Sequence, residues 1–357
     1  MIKVGLCGYG TIGHGVKALI DPLKDAQIVK VFDLPSKKAE LGDLLVSDYR
    51  EIIQDPSIDV VIECLGGDLL PYTIITSALK AKKSVISSNK ETISKHYKEY
   101  MTLAENNHVF LQFEASVGGG IPLLYPLDVL SRFDSVGLLQ GILNGTTNFI
   151  LSEIGEGASF VSALKEAQTR GFAEKDPTAD LEGLDLLRKS AILGMLLYHR
   201  EVISESIPHF GIAHLPEGFV SSLKKEGRVL KMIVDLHPYQ EGLSILIAPT
   251  LLKEDDPLSS VKEETNAVSL FAQANGPLSF SGKGAGEFPT ASAILSDLER
   301  LILHSALPVI VPKEPIRIIP DLEGVYEVHE TDGGMKRILN PSLDELRRYD
   351  FVAKVAE

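Results

Sequence analysis

The sequence predicts an α/β protein with a Rossmann-type doubly wound parallel sheet, followed by an α+β catalytic and dimerisation domain. Short apolar segments alternate with helical segments through the first third of the chain, as in such sheets. The first strand, Ile2–Cys7, leads directly into a glycine-rich turn and a helix. Strand-like segments at 243–249 and 267–272 lie far outside this alternation and indicate a second sheet.

Length and composition place the chain among ordinary globular proteins. Its 357 residues suffice for two domains, and 44% of them are hydrophobic. A net charge of −14 argues against nucleic acid or an anionic membrane as a partner. Two cysteines give no disulfide framework, the first strand begins at the N-terminus, and no apolar run is long enough to span a membrane. We therefore expect a cytoplasmic protein.

The first turn carries a dinucleotide-binding pattern. Gly8, Gly10 and Gly13 form GxGxxG between a strand and a helix. The first glycine allows the tight turn, the second lets the backbone approach a pyrophosphate, and the third allows close helix packing. The helix N-terminus then faces the phosphates. The position between a strand and a helix makes the motif more specific than the glycine spacing alone.

Asp33 bears on the choice of dinucleotide. It ends the second predicted strand, Ala26–Phe32, twenty residues after Gly13. An acid there can accept hydrogen bonds from the adenosine ribose, which favours NAD, although it could also be a turn or cap residue. Lys37 and Lys38 follow closely and could instead meet a 2′-phosphate. The residues therefore favour NAD only slightly over NADP.

The alternation continues with a helix at 44–53, a strand at 59–64, a helix at 70–81 and strands at 84–88 and 109–113. Ligands of open α/β sheets bind at the carboxyl ends of their strands. Gly66 and Lys90 lie at such ends, so we expect both to face the cofactor. On position alone, Lys90 could equally be the solvated first residue of a helix.

Three later segments are rich in glycine or small polar residues. In 114–122, carbonyls beside three consecutive glycines could bind a cation with help from Glu114, although a hinge is the preferred explanation on physical grounds. After a strand at 137–145, Thr146 or Thr147 could cap a helix or touch substrate. A glycine-rich loop at 282–286 precedes another helix, and Lys283 within it could contact phosphate or solvent. The last fifty residues alternate like edge strands and end in a charged helix.

Residues 171–189 are the most informative stretch. Asp176 can cap a helix that Pro177 begins, and Asp180 suits the positive end of its dipole. Asp185 and Lys189 need another explanation, because they lie four residues apart on a face that is otherwise apolar. A lysine buried beside a carboxylate is a candidate for proton transfer. An ion pair without function is an equally good explanation from this segment alone.

Together these motifs resemble the homoserine dehydrogenase family, in the family's order, over residues 2–302. The matching stretches are GYGTIGHG, IECLGG, SNK, EASVGGGIP, GILNGTTNFIL, GFAEKDPTADLEGLDLLRK and GKGAGEFPTASA. The resemblance implies oxidation of L-homoserine to L-aspartate 4-semialdehyde with NAD or NADP, usually working in reverse, in threonine and methionine biosynthesis. A related amino-acid dehydrogenase or a catalytically idle dinucleotide sensor would not need these motifs together.

The resemblance also implies residue roles. Lys189 would be the general acid that protonates the aldehyde oxygen, and Asp185 would orient it. Glu174 would bind the substrate amino group, with support from Asp180, and Lys90 would assist charge balance or proton relay. The remaining implied residues are Gly145 and Thr146 in the substrate pocket, Thr11, Ile12 and Gly286 at the cofactor, and Glu114 with the carbonyls of Val117, Gly119 and Ile121 at a monovalent-cation site, usually sodium.

These inferences give a domain plan. We expect a dinucleotide-binding domain at 1–125, to which a helix at 289–303 returns. Residues 126–288 would form the substrate-binding and dimerisation domain of a homodimer. Residues 304–357 would be an extension of unassigned role that does not resemble the regulatory ACT domain of longer family members.

Overall fold

The computed structural model describes residues 1–330 and 334–356, and these divide into two compact units. The first unit comprises Met1–Arg132, Ile192–Glu201 and Ala285–Glu314. The second unit comprises Phe133–Ala191, Val202–Gly284 and Pro315–Glu357. No helix among the described residues is long and apolar enough to cross a membrane.

The first unit contains a six-stranded parallel sheet in the order β3-β2-β1-β4-β5-β6. This order confirms the doubly wound Rossmann-type sheet, in which both faces of the strands are buried by helices. Its strands are β1 (Ile2–Cys7), β2 (Ala26–Phe32), β3 (Leu45–Val46), β4 (Val60–Glu63), β5 (Ser84–Ser87) and β6 (Leu111–Gln112). Its helices in the first 132 residues are α1 (Thr11–Ile20), α2 (Lys38–Leu41), α3 (Arg50–Ile53), α4 (Leu69–Lys80), α5 (Lys90–Asn107) and α6 (Leu124–Ser131).

The second unit contains an eight-stranded mixed sheet in the order β11-β10-β7-β8-β9-β14-β12-β13. Its strands are β7 (Val136–Ile142), β8 (Arg228–Tyr239), β9 (Gly242–Lys253), β10 (Thr265–Ala272), β11 (Gly276–Lys283), β12 (Val325–His329), β13 (Met335–Leu339) and β14 (Phe351–Val355). The remaining helices of the chain are α7 (Gly145–Gly155), α8 (Phe160–Thr169), α9 (Thr178–Leu181), α10 (Leu184–Tyr198), α11 (Phe219–Leu223), α12 (Glu287–Ile302) and α13 (Leu343–Leu346). The division between the units falls within α10, and α12 belongs to the first unit.

Three predicted elements differ from the structure. The segment 44–53 is not one helix, because Leu45–Val46 pairs with β2 and only Arg50–Ile53 is helical. The predicted charged helix is only the short α13, and it does not end the chain, because the strand β14 follows it and pairs with β9 and β12. The predicted single helix after Pro177 is two helices, because Gly183 between them has a φ of +80°.

Candidate active site

The glycine turn after β1 has the geometry that a dinucleotide requires. Gly8 has a φ of +100°, a conformation that residues with a side chain rarely adopt. A Cβ on Gly13 would lie 2.1 Å from the carbonyl oxygen of Gly8, so only glycine allows α1 to begin this close to the turn. A Cβ on Gly10, by contrast, would meet no atom within 4 Å, which leaves space for a ligand at the backbone. The turn therefore fits a pyrophosphate group.

Asp33 is anchored to this turn. Its Oδ2 accepts a hydrogen bond from the amide of Tyr9 at 2.5 Å, and its Oδ1 accepts one from the amide of Leu34 at 2.6 Å. Each carboxylate oxygen can accept a further bond, so Asp33 can still receive a ribose hydroxyl. The Nζ of Lys37 lies 5.6 Å from the centre of the Tyr9 ring, whereas Lys38 bonds the carbonyl of Gly42.

The loops after β4 and β5 are tied together by Asn89. Its Nδ2 donates to the carbonyl oxygens of Leu65 and Gly67 at 3.1 and 2.7 Å, while its Oδ1 caps α5. Gly66 is exposed with no atom within 4 Å of an added Cβ, and Lys90 is the partly buried first residue of α5. Gly66 and Lys90 therefore lie on two segments that the side chain of Asn89 connects by hydrogen bonds.

Helix α12 brings the other predicted cofactor residue to α1. Gly286, with a φ of +118°, immediately precedes α12. A Cβ on Gly15 would lie 3.1 Å from the Cβ of Ala291, so the two helices pack closely. Thr11 is exposed at the start of α1, and Ile12 is partly buried beside it. The predicted cofactor residues of the first unit thus lie on turns and at helix starts.

Lys189 and Asp185 form a buried ion pair in the second unit, and each is only 8% exposed. The Nζ of Lys189 lies 2.7 Å from Oδ2 of Asp185 and donates to the carbonyl oxygen of Leu143 at 2.6 Å. Asn144 donates from Nδ2 to the same Asp185 oxygen at 3.1 Å. The lysine amino group is therefore fixed by one charged and one neutral acceptor.

Asn144 joins two of the predicted acids, and the sequence analysis missed it. Its Nδ2 also donates to Oδ1 of Asp180 at 2.7 Å. Burial raises the pKa of the Asp180 carboxyl, which Asn144 partly offsets. Its Oδ1 accepts from the amide of Thr147, so Asn144 caps α7, and the predicted cap at Thr146 or Thr147 is wrong. Asparagine directly before a helix is itself a capping signal, so the sequence could have indicated this role.

The predicted substrate residues are not all brought together. Thr146 donates from Oγ1 to the carbonyl of Phe172 at 2.5 Å. A Cβ on Gly145 would lie 2.8 Å from the carbonyl oxygen of Glu264, so the chain leaves no room for a side chain there. Glu174 is exposed, and its carbonyl oxygen accepts a bond from Gln168. Its carboxylate thus differs from the buried pair in facing solvent.

Glu114 acts as a helix cap in the first unit. Its Oε1 accepts from the amides of Leu123 and Leu124 at 2.6 and 2.7 Å. Its Oε2 accepts from the amide of Tyr125 at 2.8 Å and from Arg300 Nη2 at 3.2 Å. A carboxylate has about four acceptor positions, so this one is fully used at the start of α6. The expected help from this carboxylate in binding a cation is therefore not available.

Arg300 also bonds Asp297, which accepts from the Glu114 amide at 2.9 Å. Burial, followed by repulsion from Glu114, raises the pKa of Asp297 to about 7. The adjoining loop is buried at Val117, Gly119 and Ile121. Among residues 1–330 and 334–356, no cluster of three or more histidine, cysteine, aspartate or glutamate side chains could hold a metal ion.

Comparison with known families and proteins gives one consistent result. Residues 8–114 match the family model described as the NAD-binding domain of homoserine dehydrogenase, and residues 122–298 match the homoserine dehydrogenase model. Homoserine dehydrogenase of Bacillus subtilis is 38% identical, covering 86% of this chain and 74% of its own. The crystal structure of a homoserine dehydrogenase from Thiobacillus denitrificans superposes with a TM-score of 0.87 at 27% identity, over 100% of this chain and 98% of the other. A hyperthermophilic archaeal homoserine dehydrogenase in complex with NADPH has the same fold, with a TM-score of 0.74 at 22% identity over 87% of this chain and 99% of the other.

Proposed function

This chain belongs to the homoserine dehydrogenase family, a group of NAD(P)-dependent oxidoreductases, and we propose that Lys189, held in place by Asp185, transfers the proton of the family's reaction. That reaction interconverts L-homoserine and L-aspartate 4-semialdehyde. The observation that carries the proposal is the buried contact of 2.7 Å between Lys189 Nζ and Asp185. A bound nicotinamide supplies or accepts the hydride, which leaves the protein to orient the substrate and to move one proton.

The hydrogen bonds of Lys189 suit this role. A lysine ammonium has three N–H donors, and two are directed at Asp185 and the Leu143 carbonyl. The third can meet the aldehyde oxygen and protonate it as the carbonyl is reduced. In the opposite direction, the neutral amine accepts the hydroxyl proton. Asp185 holds Nζ in place, and Lys90 assists charge balance or proton relay.

We propose that Asp180 and Glu174 bind the substrate ammonium group. Asp180 lies near both Asp185 and Lys189, and burial raises the pKa of the Asp180 carboxyl. The ammonium group of the substrate would compensate the negative charge of the Asp180 carboxylate. The exposed Glu174 would add a longer-range attraction, and Gly145 and Thr146 would line the pocket around the substrate.

We further propose that the first unit binds the dinucleotide through Gly8, Gly10 and Gly13. The other proposed contacts are Thr11, Ile12, Asp33, Gly66, Lys90 and Gly286. NAD is slightly favoured, because the Asp33 carboxylate would repel a 2′-phosphate. Lys37 and the archaeal relative in complex with NADPH argue for NADP. The ratio of kcat/KM for the two dinucleotides decides between them, and a preference for NADP would show that Asp33 does not control the choice.

A sodium ion is proposed at the loop after Glu114. Hard cations prefer oxygen ligands, and the carbonyls of Val117, Gly119 and Ile121 supply them. Glu114 would contribute through its main-chain carbonyl, because its carboxylate caps α6. Activity titrated with sodium chloride against choline chloride tests this, and equal activity in the two salts would exclude an essential sodium ion.

The domain plan and the assembly are also proposals. We assign dinucleotide binding to residues 1–125 with helix 289–303, and substrate binding and dimerisation to residues 126–288. A homodimer through the eight-stranded sheet is supported by Leu138 and Phe271, which are opposite each other on β7 and β10 and are 37% and 54% exposed. Light scattering tests the assembly. The free thiols Cys7 and Cys64 support a cytoplasmic location.

One assay tests the central proposal. Purified protein is incubated with L-homoserine and NAD or NADP separately, and formation of the reduced nicotinamide is followed by absorbance. We expect turnover with at least one dinucleotide. L-Aspartate is the control, because a related aspartate dehydrogenase would oxidise it in preference to homoserine. Absence of turnover with homoserine in folded protein would refute the assignment of these residues.

A further inference from the structure

Glu63 is a buried carboxylic acid at the carboxyl end of β4, and the proposed reaction does not use it. Its side chain is wholly inaccessible to solvent. One carboxylate oxygen accepts a hydrogen bond from the amide of Leu65 at 2.7 Å, and the other accepts from the hydroxyl of Ser87 at 2.6 Å. Burying a carboxylate is costly unless it is paired or hydrogen-bonded. The two bonds connect the end of β4 with the end of β5.

The connection extends into a closed network. Ser87 Oγ accepts from the amide of Asn89 at 3.1 Å. Asn89 in turn donates from Nδ2 to the carbonyls of Leu65 and Gly67 and caps α5, which begins at Lys90. Glu63 therefore bonds the loop after β4 directly and the turn after β5 through Ser87. Both segments lie at the strand ends where α/β sheets bind their ligands.

The surroundings of Glu63 leave its charge uncompensated by the side chains that face it. Cys7 on β1 lies opposite it, Cys64 follows it in the chain, and Tyr100 on α5 also faces it. Burial raises the pKa of each of these three groups, so all are neutral at physiological pH. Burial also raises the pKa of Glu63 itself to about 7, while Ser87 and the Leu65 amide lower it.

We propose that Glu63 is a positioning residue for the dinucleotide, holding the Leu65–Gly67 loop and the Asn89–Lys90 turn in the arrangement that binds it. The inference rests on the cofactor roles proposed above for Gly66 and Lys90. The ionised carboxylate accepts from both donors with charge-assisted hydrogen bonds. Protonation turns one acceptor oxygen into a donor, which disturbs one of the two bonds and loosens both segments.

The test is the dissociation constant of NADH and of NADPH, measured by fluorescence titration from about pH 6 to about pH 8.5. In the unmodified protein we expect binding to tighten about three- to tenfold as pH rises through about 7. Glu63→Gln should bind about as weakly as the unmodified protein at the lowest pH, with no inflection. Glu105→Gln, which changes an exposed glutamate of α5, is the matched control and should behave as the unmodified protein.

Two further variants separate the possible outcomes. Ser87→Ala keeps the carboxylate but removes a bond that lowers its pKa, so the inflection should move to higher pH even if Glu63→Gln does not fold. Gly66→Val adds a side chain where the protein leaves space, and it should weaken binding if Gly66 contacts the dinucleotide. Normal binding by Gly66→Val would refute that contact. Weak binding by Gly66→Val, with the inflection retained in Glu63→Gln, would refute the positioning role alone.

Discussion

Replacing Lys189 with alanine tests the proton-delivery step most directly. The substitution removes the ammonium that contacts Asp185 and the Leu143 carbonyl at 2.7 and 2.6 Å. A positioned general acid contributes about 10²- to 10⁴-fold to a rate, equivalent to about 3–5 kcal/mol of transition-state stabilisation. We therefore expect kcat to fall by at least about a hundredfold. Dinucleotide affinity should change less than about twofold, since no proposed cofactor contact is removed.

The assay follows the oxidation of reduced nicotinamide with L-aspartate 4-semialdehyde, and dinucleotide affinity is measured separately by fluorescence. Lys165→Ala is the matched control, because it removes an exposed lysine of α8 in the same unit. It should retain full activity. Small primary amines should partly restore the activity of Lys189→Ala by entering the space that the side chain vacates, and they should not affect the control.

Two results would refute this reasoning. If Lys189→Ala keeps more than about a tenth of the unmodified kcat, another group delivers the proton, and Lys90 is the next candidate. If the loss of activity is matched by an equal loss of dinucleotide affinity or of folded protein, Lys189 is a structural residue. A loss of kcat with intact binding and rescue by amines supports proton delivery.

Three further predictions concern stability and the glycine turn. The pKa of Asp297 is about 7 in the folded protein, against an ordinary value of 3.8, so the folded state binds an extra proton between these two pH values. The free energy of unfolding should therefore fall by up to about 4 kcal/mol between about pH 4 and pH 7, and urea unfolding of Asp297→Asn should lack this pH dependence. Burial lowers the pKa of Lys231 from 10.5 to about 8, so the unfolded state binds more protons than the folded state between these pH values. The free energy of unfolding should therefore rise by up to about 3 kcal/mol between about pH 8 and pH 10.5 relative to Lys231→Met. The same pH dependence of this free energy in both proteins would contradict the prediction. Gly13→Ala should weaken dinucleotide binding, measured by fluorescence titration, at least about tenfold, because the added Cβ would lie 2.1 Å from the Gly8 carbonyl oxygen. Gly155→Ala is the control and should leave the affinity unchanged, because an added Cβ there meets no atom within 4 Å.

The sequence predicted those parts of the fold that local patterns determine. The strand, glycine turn and helix around Gly8 follow from short-range backbone requirements, and the structure has them at the expected residues. The spacing of Asp185 and Lys189 likewise predicted their shared face, because four residues nearly complete a helical turn. The break at Gly183 carries only a weak signal, since glycine also occurs inside helices.

Partners distant in sequence could not be predicted in the same way. Arg300 bonds Glu114 from 186 residues away, and nothing local to Glu114 distinguishes a cation ligand from a helix cap. Strand β14 pairs with β9 across about a hundred residues, so its place inside the sheet depends on long-range packing. The capping role of Asn144 could have been predicted, because asparagine is a common capping residue, but the strand predicted at 137–145 ran through it.

Two clusters in this chain bring a pair of carboxylates close together, and they differ in how that negative charge is compensated. Glu114 and Asp297 lie beside Arg300, whereas Asp180 and Asp185 lie near Lys189. In the first, the raised pKa of the fully buried Asp297 lets it hold a proton near pH 7, so the cluster is balanced without a ligand. In the second, Asp180 keeps partial contact with solvent, so its carboxylate is accessible to the substrate ammonium that we propose it binds. We therefore propose a structural role for the buried cluster around Asp297 and a binding role for the cluster in which Asp180 remains open to solvent.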